Sequence, residues 1–268
     1  MDVIIFGGQS NMQGQSEALL PAAPVENACE YRYLTDSVIP LQDPVGENIR
    51  YDGSAGVPVR EDTDLKSWLS DHVTGSACYG NTNLVPGFCR AYTQTSGREV
   101  MAVHIAKGST TLTQWLKGTP GYAIIREKAA AAIRRVPNIG HIDFVWLQGE
   151  SDAIEGCSKQ DYKDRLVQLQ RDLTADLGVE SFGVIRVGRF TGDARDEEII
   201  RAQDEVCREQ EPFMMLTDIA TELNEMPGYM HPSIPGHFSA RGLEKLGMEA
   251  GKALGQARGR AWKEDRED

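Results

Sequence analysis

Strand and helix patterns alternate five times along this chain, and that rhythm restricts the fold more than any other feature. Val3 to Gly7, Val100 to Ala106, Ile142 to Leu147, Phe182 to Gly188 and Phe213 to Thr217 are short apolar runs rich in β-branched and aromatic residues. Runs of this length without polar alternation predict strands buried on both faces. Helical patterns separate or follow them: Val85 to Thr95, Tyr122 to Arg135, Gln160 to Leu177, Glu197 to Gln210 and His237 to Leu254, the last with Gly255 as its stop. The alternation predicts an α/β fold, a parallel sheet with helices on both sides. A chain of 268 residues suffices for one such core. We therefore expect a single domain over residues 1–255, followed by a charged, solvated tail over 256–268.

One stretch breaks the rhythm. Residues 27–83 are polar and carry Gly, Pro, Asp and Ser clusters such as Arg50-Tyr51-Asp52-Gly53-Ser54. They read as a long excursion between the first strand and the first long helix, roofing the site, rather than as a second domain or a repeat.

Composition removes several function classes. The formal net charge of −12 repels polyphosphates, and Lys107, Lys117, Arg126 and Lys128 form no patch, so nucleic acid is not an expected partner. No apolar run is long enough to span a bilayer, and the first residues lack the basic and apolar regions of a secretory signal. The expectation is a cytoplasmic protein without a membrane partner; oligomeric state is not legible. Cys29, Cys78, Cys89, Cys157 and Cys207 are odd in number and include no C-x-x-C pair, so neither a zinc site nor a disulfide scaffold is expected.

In an open parallel sheet ligands bind beyond the carboxyl ends of the strands. Here those positions are polar: Gly7-Gly8-Gln9-Ser10-Asn11-Met12, Lys107-Gly108-Ser109-Thr110 and Gln148-Gly149-Glu150-Ser151-Asp152, with His231 and His237 on the loop after the last strand. A serine after two glycines can turn sharply into a helix start and expose its hydroxyl and its own amide, although capping a helix is the commoner role of such a serine. The elbow G-x-S-x-G is absent because Met12 holds its last position, and neither phosphate-binding glycine pattern is met. A serine, backbone donors, an amide, carboxylates and a histidine at one sheet edge are what acyl transfer requires.

These blocks resemble those of the SGNH hydrolases. Gly8-Gln9-Ser10-Asn11-Met12, Gln148-Gly149-Glu150-Ser151-Asp152 and His231-Pro232 are similar to the sialate O-acetylesterase-like and family 6 acetylxylan esterase-like branch, and their order covers residues 3 to about 250. The resemblance implies a three-layer α/β/α, flavodoxin-like fold with five parallel strands. It also implies double-displacement hydrolysis of acetyl esters on sugars with no metal or other cofactor. Carried over by position, Ser10 is the nucleophile and His231 the base, and the oxyanion donors are the Ser10 amide, the Gly108 amide and the Gln148 side chain. Lys107 stands where the family has the first glycine of G-G-T, a change that backbone donation from Gly108 should survive.

A larger departure is Gly228, where many members carry an aspartate three residues before the histidine. Another carboxylate is needed to orient the imidazole, since loss of that acid can cost about 10⁴ in rate. Glu150 is the first candidate, with Asp152, Asp218 and Glu225 in reserve. By elimination among the histidines, His104 lies inside a strand, His141 sits at the wrong sheet end and His72 belongs to the excursion. Of the remaining two, His231 is favoured because Pro232 fixes an extended backbone there, and His237 reads as structural or a rim contact at the start of the last helix. Tyr51, Trp68, Trp115 and Tyr229 could stack on a sugar, but packing is the ordinary role of such residues. Two other functions compete: a lipase or thioesterase of the same fold, and a carbohydrate-binding protein that has lost catalysis.

Overall fold

The computed structural model describes residues 1–16, 23–47 and 82–264, the last five of these by backbone only. All five expected strands form: β1 (Asp2–Gly8), β4 (Val100–Ala106), β5 (Ile142–Leu147), β6 (Ser181–Ile185) and β7 (Phe213–Thr217). Two more, β2 (Ala28–Arg32) and β3 (Ser37–Pro40), come from inside the excursion, so the sheet has seven strands rather than five, in the order β3-β2-β4-β1-β5-β6-β7. Every neighbouring pair is parallel except β2 with β3. The two added strands escaped the apolar-run criterion because they lie at the sheet's margin, where β2 carries charge and β3 is short and partly exposed. Glu30 on β2 is buried only because Arg32 pairs with it at 2.9 Å and the Gly46 amide donates to it.

The period of two along the strands divides the core between two helical layers. Phe6 of β1 meets Phe88 of α2 (Val85–Ser96) edge to face at 5.0 Å between centroids. Asp143 of β5 points the same way and pairs with Arg258 of α8 (Ala240–Glu264), which packs along α2. Phe144 and Trp146 face the other layer, formed by α3 (Pro120–Arg134), α5 (Lys159–Leu177) and α6 (Ala194–Glu209). Local chemistry starts these helices where they start: Thr119, Ser158 and Asp193 each accept a hydrogen bond from an amide of the first turn.

The last helix runs on past Leu254 to Glu264, so Gly255 is not its stop. Gly255 serves close approach instead, since a Cβ there would lie 2.9 Å from Thr95 Cβ and 3.1 Å from the Tyr92 carbonyl oxygen. Among the described residues no helix is long and apolar enough to cross a membrane.

Candidate active site

β1 ends in a turn that only glycine permits. Gly8 has φ 152°, and a Cβ on it would collide with the Leu147 carbonyl of β5. The chain then enters the short helix α1 (Ser10–Gln13), whose first residue is the expected nucleophile. Ser10 is 6% exposed at the carboxyl edge of the sheet, beside the ends of β4 and β5. Its amide lies in the first turn of α1, where no intrahelical acceptor can reach it.

The histidine at Ser10 is His237, not the expected His231: Ser10 Oγ and His237 Nε2 are 2.9 Å apart. His237 Nδ1 lies 2.8 Å from the Pro235 carbonyl oxygen, which can only accept, so Nδ1 carries the proton. Nε2 is then left to accept from the serine hydroxyl. Burial pushes the His237 pKa below the ordinary imidazole value; the Pro235 carbonyl opposes that shift and nearby His231 adds to it.

His231 belongs to the same loop and spends its Nδ1 on the loop's own backbone. Its backbone amide donates to the His237 carbonyl at 2.7 Å, while its Nδ1 accepts from the Ser233 and Ile234 amides at 3.1 and 3.0 Å. Pro232 does not decide which imidazole reaches the serine. That follows from the turn at Pro235-Gly236, where Gly236 has φ 72° and packs so tightly on Phe190 that a Cβ would clash. The Phe190 ring also meets the His237 ring edge to face at 5.7 Å. A Pro-Gly dipeptide immediately before one of the two histidines was the available sequence signal.

The expected carboxylate does not touch either histidine through any hydrogen bond among the described residues. Glu150 opens α4 (Glu150–Ile154) and is 3% exposed; its Oε1 accepts from Asn11 Nδ2 at 2.8 Å and its Oε2 has no partner. Burial drives its pKa up, against the lowering effect of the Asn11 bond. Asn11 is the link that sequence reasoning missed. Its Nδ2 also reaches the Gly236 carbonyl at 3.3 Å, and its Oδ1 accepts from the Phe238 amide at 3.2 Å, gripping the backbone on both sides of His237. Among the reserve acids, Asp152 accepts from Gln148 Nε2 and the Leu112 amide, and Asp218 and Glu225 are exposed.

The expected oxyanion donors also require revision. Gln148 is fully buried and its amide nitrogen is committed to Asp152 Oδ2 (2.6 Å), the Thr110 carbonyl (2.9 Å) and Gln9 Oε1 (3.1 Å). Its two protons are spent inside the fold, so its role here is to brace the ends of β1, β4 and β5. The Gly108 amide does lie at the site, where it donates to Gln13 Oε1 at 2.8 Å. An ester oxygen bound to Gly108 must displace that carboxamide, itself an uncharged mimic of the oxygen it excludes.

The aromatic candidates fall as packing predicts. Trp115 is 1% exposed, donates to Thr110 Oγ1 and meets Trp146 edge to face. Tyr229 lies under the Arg241 guanidinium at 4.4 Å. Tyr51, Trp68 and His72 lie outside the described residues.

A parallel-dominated α/β sheet with a serine–histidine pair at its carboxyl edge has the architecture of a hydrolase of the SGNH type. Over residues 1–256 the chain belongs to the carbohydrate esterase, sialic acid-specific acetylesterase family, and it is an ester hydrolase. It is 22% identical over 213 residues, 75% of its own length and 74% of the other's, to an Arabidopsis thaliana protein named as a probable carbohydrate esterase. The crystal structure of that plant protein superposes with a TM-score of 0.66 at 18% identity, covering 94% of this chain and 96% of that one. The structure of NanS matches with a TM-score of 0.58 at 16% identity over 98% of both chains. A carbohydrate acetylesterase from Xanthomonas citri gives 0.57 at 16% identity, over 98% of this chain and 57% of the other. At these identities the likeness of the solved structures is one of fold.

Proposed function

We propose that this protein is a serine-dependent carbohydrate O-acetylesterase in which Ser10 is the nucleophile and His237 the general base. The reading rests on the 2.9 Å contact between Ser10 Oγ and the unprotonated Nε2 of His237. The sugar substrate is inferred from the family to which the chain belongs.

In the first displacement Ser10 Oγ bonds to the acetyl carbon as its proton passes to His237 Nε2. The carbonyl electron pair moves to oxygen, which the Ser10 amide faces, and the Gly108 amide joins once Gln13 Oε1 has swung aside. The intermediate collapses by breaking the bond to the sugar oxygen, and that oxygen takes the proton from His237. In the second displacement His237 removes a proton from water, whose oxygen attacks the acetyl-serine, and Ser10 leaves with the proton as acetate departs. Each step needs one base that becomes an acid, which a buried, neutral imidazole supplies near neutral pH.

Asn11 and Glu150 act on this machinery through the backbone. The tautomer of His237 is fixed by the Pro235 carbonyl on Nδ1 and the loop's position by the Asn11 side chain. The test is acetate release from acetylated sugars and from 4-nitrophenyl acetate by the wild type and Ser10→Ala. We expect turnover on both substrates to fall by at least about 10³-fold in the variant, and acetyl-Ser10 to be found by mass spectrometry after rapid acid quench of the wild type. Undiminished hydrolysis by Ser10→Ala refutes the mechanism; hydrolysis of the nitrophenyl ester alone refutes the sugar substrate.

A further inference from the structure

Immediately beyond the catalytic helix lies a carboxamide that the fold encloses and leaves unanswered. Gln15 is 2% exposed, yet neither its Nε2 nor its Oε1 makes a hydrogen bond among the described residues. A buried polar atom left unpaired is costly to the fold, and Gln15 leaves two. The backbone on both sides of it is held firmly. Gly14 before it, at φ 91°, lies so close to the Thr82 carbonyl and Asn83 that no side chain fits, and Ser16 after it pairs with Thr82 across an isolated bridge.

The direction of Gln15 ties it to the reaction centre. From the point where Gly108 would carry a Cβ, Gln15 Nε2 is 3.6 Å away, Ser10 Cβ 3.4 Å and Gln13 Oε1 3.3 Å. A glycine at position 108 therefore leaves open the space on which the nucleophile's carbon, the oxygen covering the Gly108 amide and the unpaired carboxamide converge. A substrate that displaces Gln13 from Gly108 arrives within reach of Gln15.

We propose that Gln15 is a specificity-determining residue that reads free hydroxyl groups next to the ester, so that the preferred substrates are acetyl esters of vicinal polyols. The proposal rests on the ester-hydrolase reading above. Its chemistry follows from having both a donor and an acceptor unpaired. An oxyanion takes only donors and would leave Oε1 orphaned, whereas an alcohol hydroxyl both donates and accepts and can satisfy the two atoms together. A site built around such bonds rejects an analogue that lacks the hydroxyl, because its own polar groups then stay unpaired.

The experiment compares kcat/KM on glyceryl monoacetate and propyl acetate, which share the acetyl group and the three-carbon alcohol and differ only in the two hydroxyls. The wild type is expected to prefer the glyceryl ester by at least about 30-fold, and Gln15→Leu to reduce that ratio to about threefold or less. Should Gln15→Leu not fold, Gln15→Glu keeps the size, removes the amide donor and is expected to reduce the ratio likewise. A wild type without preference, or a Gln15→Leu enzyme that keeps it, overturns the proposal. An equal fall on both esters also overturns it, as that pattern belongs to an oxyanion donor or a packing residue. A wild type that hydrolyses neither ester removes the esterase reading and this proposal with it, and so is distinct from every outcome above.

Discussion

At the scale of single residues, the two loop histidines are separated by what their ring nitrogens touch. His237 offers an unprotonated Nε2 to Ser10, while His231 uses Nδ1 to accept two backbone amides. His237→Ala is therefore expected to lower kcat by about 10²–10⁴-fold, the range for a lost general base, and His231→Gln to leave it within a few-fold of wild type in a steady-state assay. The pH profile separates them further. Catalysis needs neutral His237, so kcat/KM rises with pH through its pKa, and that acid limb falls below the ordinary imidazole range because burial disfavours the imidazolium and His231 opposes it. The proposed nucleophile was legible in the sequence because Ser10 stands among other polar strand ends, not because of its glycine turn alone. The proposed base was not, because Pro232 constrains a backbone while the direction of a side chain depends on how the whole loop folds back.

At the scale of elements, the site is held by links between segments that are remote in sequence. Asn11 on α1 joins the start of α4 to the loop that carries His237, and each of its polar atoms is used. Asn11→Ala should loosen that loop and lower kcat by about 10–100-fold with little change in KM, because the base is misplaced rather than removed. Glu150→Gln retains an oxygen for Asn11 and replaces the ionisable carboxyl by a neutral amide. It is expected to reduce kcat much less than Asn11→Ala; an equal or greater loss means that the Glu150 charge itself acts on His237. The five central strands were legible because burial on both faces forces an unbroken apolar run. The two marginal strands were not, since β2 hides its charges by pairing Glu30 with Arg32. Gly255 misled for a related reason: glycine ends a helix when it caps it, but here it lets α8 approach α2.

At the scale of the whole molecule, the sheet has two poles with different physics. Among the described residues its carboxyl edge keeps unpaired side-chain atoms: both polar atoms of Gln15 and one oxygen of Glu150. The opposite edge holds a fully paired carboxylate. Asp2, with no exposed surface, accepts from Arg98 Nε and Nη2 at 2.5 and 2.7 Å, from the Tyr92 hydroxyl at 2.5 Å and from the His141 amide at 2.9 Å. Activity and stability should therefore separate along the strands. Ser10→Ala removes turnover and is expected to change Tm by no more than about 2 °C, since one partly buried hydroxyl contact is worth about 1 kcal/mol. Asp2→Ala strands Arg98 and Tyr92 and should cost about 3 kcal/mol, or about 6–10 °C in Tm, while the folded fraction keeps the wild-type kcat. The sign of its pH dependence follows from the carboxylate. Burial pushes the Asp2 pKa up, but the bonds from Arg98 and Tyr92 outweigh it and hold the group below the usual carboxylate value. Its stabilisation is thus fully present above the unfolded-state pKa of about 3.9 and is lost as pH falls through the lower folded value. Thermal melts from pH 7 to pH 3 should show the wild-type advantage over Asp2→Ala shrinking only at the acid end. An advantage that stays constant across that range means that Asp2 stabilises the fold without its charge.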